Sequence, residues 1–451
     1  MTKQKTGSGS VHRRTVLKYG GIAGLTAAVG PQIMVRSARG AEAKKVLFIS
    51  EESNPKAQAV YDRINADFRK ETGIEVTMEY PGFKNIAKRV ATLIAAGTPA
   101  ELVWYGAGQA MDVALQGQLA DVGDVVKALG IPDNMRLVVD GADRSIPTSQ
   151  QFVYGWYRSD LYEKKGLAPY ETWEDYLAAA KALNDPPKIY GNLVPSTNLG
   201  ASHLLLETMF RKNDVHWFAY DAGSKSYQVS LDNAENKAKA VETLEFLHEA
   251  HQYSPEASTY NWGELMSEFY TEKVASSYYV GARLLERVIQ NNPGLENVTK
   301  PVSLPARRTS KYYLSIQGFH VHKDSNVAGA KQYATFFLNH PAYIDWLHAV
   351  PLHIIPAQRA VLNSAKYQDN PVIQKHMDVL KFLDSIWGDG VPGYCWDGPV
   401  LNPLTGLYQN DSLGGWMLAE RNIRGSDAGG IIDQAAAKIR DKLAEMKQRK
   451  G

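Results

Sequence analysis

From residue 45 onward the apolar positions fall into a regular order. Lys45 to Ser50 (KVLFIS) is a short apolar run suited to a buried strand. Val60, Ile64 and Phe68 then repeat every four residues, the spacing of one helix face, and Gly73 supplies a helix stop. Ile74, Val76, Met78 and Tyr80 alternate as a second strand, closed by Pro81-Gly82. A second helical stripe, Ile86, Val90, Leu93 and Ile94, ends at Gly97, and Pro99 to Tyr105 reads as a third strand. Strand–helix–strand–helix–strand predicts a parallel sheet with crossover helices. Ligands of such sheets bind beyond the carboxyl ends of the strands. Here those ends are Ser50-Glu51-Glu52, Tyr80-Pro81-Gly82 and Trp104-Tyr105-Gly106. Gly106-Ala-Gly108 lacks the third glycine and acidic residue of a dinucleotide loop and reads as a turn.

The pattern then becomes mixed. Val153 to Leu183 predicts an aromatic strand, a turn at Gly166 and Pro169, and a helix opened by a capping box of Thr172 and Asp175. Further helices are predicted over Ala234–His251, Val327–Leu338 and Ile431–Met446, and strands over Lys273–Gly281 and Tyr312–Val321. No internal repeat or low-complexity linker interrupts the order.

Charge changes the picture at the N-terminus. Residues 1–43 hold seven basic residues and one acidic residue; the remainder carries 43 basic against 47 acidic. A mildly acidic body gives no reason to expect nucleic acid or an anionic membrane as partner. Arg13-Arg14 with Leu17-Lys18, a weakly apolar run from Tyr19 to Val29, and small residues up to Ala43 have the layout of an export signal. They resemble the twin-arginine motif, with His12 and Val16 departing from it. A signal over 1–43 and a periplasmic location are the expectations. Cys395 is the sole cysteine of 451 residues, so no internal disulfide forms, and it reads as a buried inert thiol. His320 and His322 share a strand face without an evident third ligand, so no metal and no cofactor is expected.

Four blocks resemble the extracellular solute-binding proteins of ABC importers, in the carbohydrate-binding group that includes maltose-binding protein. They are Tyr157 to Leu167 with Thr172-Trp173-Glu-Asp, Phe269 to Gly281, Gly318 to Asn326 with Ala330, Phe336 and Phe337, and Ala435 to Leu443. The resemblance implies an α/β, two-lobe type II periplasmic-binding fold, each lobe a mixed, mostly parallel sheet flanked by helices. It places lobe 1 at 44–153 and 319–351 and lobe 2 at 158–315 and 356–451. Hinge crossings fall at 154–159, 315–321 and 351–356. It implies a monomer that captures a solute between the lobes and delivers it to a membrane permease. Sugars pack their C–H faces on aromatic rings and need polar partners for their hydroxyls. Candidate ligand residues are therefore Glu51, Tyr80, Trp104, Tyr105, Gln150, Gln151, Tyr154, Trp156, Asn198, Trp262, Tyr279, Gly281, Arg283, Gln317, Trp396 and Asp397. Arg283 stands where the family often has Trp. It suits either an acidic group on the solute or a carboxylate of the chain itself. Two other readings stay open: an exported carbohydrate-active hydrolase or lyase, and the same fold carrying a polyamine, amino acid, acidic solute or metal complex.

Overall fold

The computed structural model describes residues 45–450 except 83, 84 and 410. The expected signal over 1–43 lies outside the described residues. The first strand, β1 (Lys45–Ser50), is followed by α1 (Pro55–Thr72), which Asn54 caps by accepting from the Lys56 N–H at 2.9 Å. Gly73 ends α1 at φ 73°, a left-handed turn that a side chain resists. Next come β2 (Glu75–Glu79), α2 (Ile86–Ala95), β3 (Leu102–Gly106) and α3 (Ala107–Leu115). β1 lies between β2 and β3 and is parallel to both, with Val46 opposite Val76 and Ile49 opposite Val103.

Two long strands organise the rest. β4 (Ile146–Arg158) is buried along most of its 13 residues. After it come α4 (Trp173–Leu183), α5 (Gly200–Lys212), α6 (Ala234–His251), α7 (Trp262–Tyr270), β5 (Ser276–Val280), α8 (Arg283–Asn291) and β6 (Thr299–Val302). The second long strand is β7 (Tyr312–Val321), followed by α9 (Val327–Asn339), β8 (Ile355–Pro356), β9 (Gly390–Pro392), α10 (Leu413–Asn422) and α11 (Ala428–Lys450). These nine strands join one sheet, and two short two-stranded ribbons lie apart from it. It is parallel over β1 to β3, as the crossover pattern predicts, and antiparallel where β4 and β7 pair with each other and with β3, β5, β6 and β8. The alternating βα pattern that dictates parallel pairing stops after β3, and the sheet's direction changes with it.

β4 changes partners midway. Its first part pairs with β7, ending at Phe152 opposite Leu314; its second part pairs with β5, beginning at Val153 opposite Val280. β8 joins β4 at Ser149 and Gln150. Of the three segments expected to cross between lobes, 315–321 and 355–356 lie beside β4 residues 146–151, whereas 154–158 pairs instead with β5 and β6. At the β1–β3 end, Phe48 packs edge-on against Tyr61, Phe319 and Tyr333 at 5.3 to 5.6 Å. At the β5–β6 end, Trp173 stacks on Phe246 at 4.3 Å and Trp217 on Tyr408 at 4.4 Å. Each such aromatic pair adds about 0.5–1.5 kcal/mol beyond the area it buries.

The capping box is present: the Thr172 hydroxyl accepts from the Asp175 N–H at 3.1 Å, and Asp175 accepts from the Thr172 N–H at 3.2 Å. Thr172→Ala should lower folding stability by about 1 kcal/mol, read from urea unfolding midpoints with unchanged slope.

Candidate ligand-binding site

The junction of β4, β7 and β8 carries a chain of polar side chains from the middle of the sheet to the end of β1. Gln317 donates to Ser315 Oγ at 2.9 Å and to Gln151 Oε1 at 3.0 Å. Gln151 lies 3.0 Å from His353 Nε2, and Arg283 Nε donates to the same nitrogen at 3.1 Å. Arg283 Nη2 donates to Glu52 Oε2 at 2.8 Å, and Glu52 Oε1 accepts from the Asn54 N–H at 2.8 Å. Gln151 offers its amide N–H and Arg283 its guanidinium N–H, so His353 Nε2 can only accept. His353 is therefore the neutral tautomer with its proton on Nδ1. Its burial and the nearby Arg283 charge hold its pKa well below the usual histidine range, in agreement with that assignment.

Local backbone geometry makes the chain possible. Gly281 has φ 64°, and a Cβ there would come within 2.5 Å of His353 Nδ1. The glycine lets β5 turn directly into α8 and brings Arg283 under the imidazole. Glu52 stands two residues past the end of β1, so the Arg283–Glu52 pair ties the carboxyl end of a parallel strand to the first residue of α8. Both side chains are largely buried, 8% exposed for Glu52 and 19% for Arg283. Glu286, one turn along α8, stands 3.7 Å from Arg283 Nη1 and accepts weakly from Asn54 at 3.5 Å.

An aromatic platform adjoins the chain. Trp262, half-buried at the start of α7, meets Tyr279 edge to face at 5.4 Å. Gly200, at the start of α5, leaves room beside the Trp262 indole N–H, and the Ala201 N–H donates to Asn261 Oδ1 at 3.3 Å. Exposed Asn198 precedes this helix start, its amide 3.2 Å from the carbonyls of Asp411 and Ser412.

Of the residues chosen from sequence, Glu51, Gln151, Trp262, Tyr279, Gly281, Arg283 and Gln317 gather here. Others have different surroundings. Trp104 is buried, donates to Thr148 Oγ1 at 2.8 Å and packs on Trp346 at 5.2 Å. Tyr154 and Trp156 are fully buried against each other and Phe382, so their rings are core and present no face to a solute. Gln150 is buried, with Pro356 O as partner at 3.4 Å. Tyr105 is buried edge-on to His320, and Tyr80 is half-buried near Tyr61. Trp396 and Asp397 belong to another cluster. Trp396 stacks on His216 at 4.7 Å and donates to Val215 O, while Asp397 accepts from the Trp217 N–H at 3.0 Å and from Asn402 at 2.8 Å. They anchor the hairpin Phe218–Asp221 and Ser226–Val229, with burial pushing Asp397 up to about 7. The chemical reason for choosing them was sound, but the side chains had structural partners that no sequence interval shows. His320 is buried and neutral, held to about 3 by desolvation. Among the described residues no group of three or more His, Cys, Asp or Glu could hold a metal ion.

Sequence reasoning did not single out Glu286 or His353 as ligand residues. Glu52 belongs to the strand end Ser50-Glu51-Glu52 that the sequence marks, and the glycine before Arg283 is the available signal for a close neighbour. Of the two readings of Arg283, the pairing with a carboxylate of the chain is the one seen.

Comparison with known proteins now bears on this site. The family model for the bacterial extracellular solute-binding protein matches residues 51–344. The chain belongs to the bacterial extracellular solute-binding protein family. It is 25% identical over 339 residues to the ABC transporter periplasmic-binding protein YcjN of Escherichia coli K12, covering 70% of this chain and 74% of that one. Its fold matches an ABC transporter solute-binding protein from Thermotoga lettingae, solved with α-D-tagatose, at a TM-score of 0.71 with 17% identity, over 88% of this chain and 98% of that one. It also matches a sugar transporter protein from Arthrobacter chlorophenolicus A6, solved with laminaribiose, at a TM-score of 0.71 with 17% identity, over 88% and 99%. These likenesses establish the two-lobe type II periplasmic-binding fold.

In a solute-binding protein of this fold, a pair such as Glu52–Arg283 contributes to stability through partners 231 positions apart. Glu52→Gln and Arg283→Gln should each cost about 1–3 kcal/mol, and the double variant less than the sum, measured as a double-mutant cycle in denaturant. Glu51 gives a second expectation. Burial first, then the neighbouring Glu52 charge, pushes its carboxyl up from 4.5 to about 8. The folded protein keeps a proton that the unfolded chain releases, so this group's contribution to stability falls as pH rises from about 4.5 to about 8. Glu51→Gln should flatten the decline of melting temperature across that window.

Proposed function

We propose that the protein is the substrate-binding component of an ABC importer. It captures a sugar or small oligosaccharide between its two lobes and hands it to a membrane permease. The observation that carries the reading is the half-buried Trp262 ring, braced by Tyr279 and set beside the Arg283–Glu52–His353–Gln151 chain. An aromatic face next to fixed donors and acceptors suits a molecule with apolar C–H faces and hydroxyl edges. Solutes bound to fold relatives, among them tagatose, laminaribiose and maltose, are of this chemistry.

The Arg283–Glu52 contact then lies across the cleft, and solute contacts made beside it add to the stability of the closed state. Lobe motion of this kind follows from contacts made only in the closed state. Export through the twin-arginine signal at 1–43, a periplasmic location and a monomeric state complete the proposal. Among the described residues no helix is long and apolar enough to cross a membrane.

Thermal shift against a library of sugars, polyols, amino acids and polyamines tests the reading. A cognate solute at a hundred times its Kd should add about 2.7 kcal/mol of stability, seen as a rise in melting temperature that Trp262→Ala abolishes. Shifts from amino acids or polyamines alone, or reaction products from the bound oligosaccharide, would overturn it.

A further inference from the structure

We propose that the solute carries a protonated amine and that Glu51 is the group that receives it, an inference that rests on the reading of this cleft as a solute site. Glu52 and Glu286 pair with a single guanidinium, that of Arg283, and the Glu51 carboxyl lies within its electrostatic reach. Arg283 has its Nη2 on Glu52 at 2.8 Å, its Nε on His353 at 3.1 Å and its Nη1 3.7 Å from Glu286. The guanidinium is thus already engaged by other groups. An acidic solute would meet an excess of carboxylates.

Glu51 is the carboxyl left over. Its Oε2 is enclosed and has no hydrogen-bond partner among the described residues, yet the residue keeps partial solvent access. It follows β1, at the carboxyl edge where parallel sheets take their ligands. The charged and titratable groups that act on it or on its neighbour Tyr105 come from every side. They are Glu52 from its own loop, Arg283 from α8, Tyr105 from β3 and Asp112 from α3. Among these only Arg283 is a cation. Glu286 Oε2 is likewise enclosed without a hydrogen bond.

An enclosed carboxyl without a donor either keeps its proton or takes a donor from a bound molecule. A hydroxyl supplies an O–H donor but no charge. An ammonium supplies both: the free cluster holds two carboxylates and one guanidinium, and on binding the negative charge that Glu51 gains is matched by the positive charge of the ammonium. The proton balance is explicit: the ammonium keeps its proton, and Glu51, protonated in the free protein at neutral pH because its pKa lies at about 8, releases one proton to solvent on binding.

The experiment is calorimetry at pH 6.5 in buffers of different ionisation enthalpy, with D-glucose, D-glucosamine and D-glucuronate and their matched β-1,4-linked disaccharides as probes. The amino form should bind at least about tenfold more tightly than the neutral form, close to 1.4 kcal/mol, and release about one proton per solute. The neutral form should release none and the uronate should bind most weakly. Glu51→Gln, with its melting curve as a check on folding, should remove both the proton release and the preference. Equal binding of amino and neutral forms, tighter binding of the uronate, or amine binding without proton release in the wild-type protein would overturn the inference while leaving a sugar-binding protein. Binding by none of the probes would overturn both this inference and the sugar reading.

Discussion

The structure at the junction depends on how a largely buried guanidinium is neutralised. Arg283 cannot shed its charge, so it has to be matched where it stands. Glu52 matches it at 2.8 Å, and His353 accepts from its Nε. Each partner imposes a condition on a different part of the chain. Glu52 requires β1 to end at Ser50. His353 requires the segment before β8 to pass directly beneath the turn at Gly281, where any Cβ would strike the imidazole. The imidazole in turn has to stay neutral, because both of its neighbours are donors toward Nε2. One charge therefore fixes a backbone turn, a tautomer and the relation of two distant strands.

The sheet explains why these groups can meet. β4 runs its 13 residues through both kinds of pairing, first beside β7 and then beside β5. Its partner exchange at Phe152 and Val153 leaves Gln151 just before the break, facing the His353 imidazole, and Gln317 on β7 reaches across to it. A strand with one set of partners throughout would bury these amides in a continuous ladder of apolar neighbours. The exchange opens the sheet where polar side chains from three segments converge. The parallel end of the sheet contributes the other half, since all its strands point their carboxyl ends the same way.

Local elements were legible in the sequence because their signals are local. The Thr172–Asp175 box, the Gly73 stop, the Ala234–His251 helix and the Tyr312–Val321 strand each follow from residues within one or two turns of themselves. The two-lobe fold was legible through the family resemblance of four blocks. The site was only half legible. Aromatic composition pointed equally to Trp262, which stands half-exposed at a helix start, and to Trp156, which is sealed in the core. Nothing in the spacing separates them, because burial of an aromatic ring is decided by elements far away in the chain. The same holds for Arg283: its freedom to meet a solute was settled by Glu52, whose proximity no pattern along the sequence encodes.

A second buried cluster shows what distinguishes a site from a support. Arg211 and Glu207 lie 2.8 Å apart, fully buried, one turn apart on α5, with Trp217 donating to the same carboxylate and the guanidinium over the rings of Tyr313 and Trp396. The ingredients are those of the Arg283 cluster: a guanidinium, carboxylates, aromatic rings and a nearby histidine, His216. Yet the Arg211–Glu207 pair belongs to a single helix, so it can form before any distant segment arrives, and no part of it reaches solvent. The Arg283 pair joins elements more than two hundred residues apart and retains partial exposure, with the unpartnered Glu51 oxygen beside it. A buried pair confined to one helix stabilises that helix and its packing. On the proposed reading, a pair that links distant elements at an accessible edge, next to an unmatched acid, is coupled to whatever enters between them.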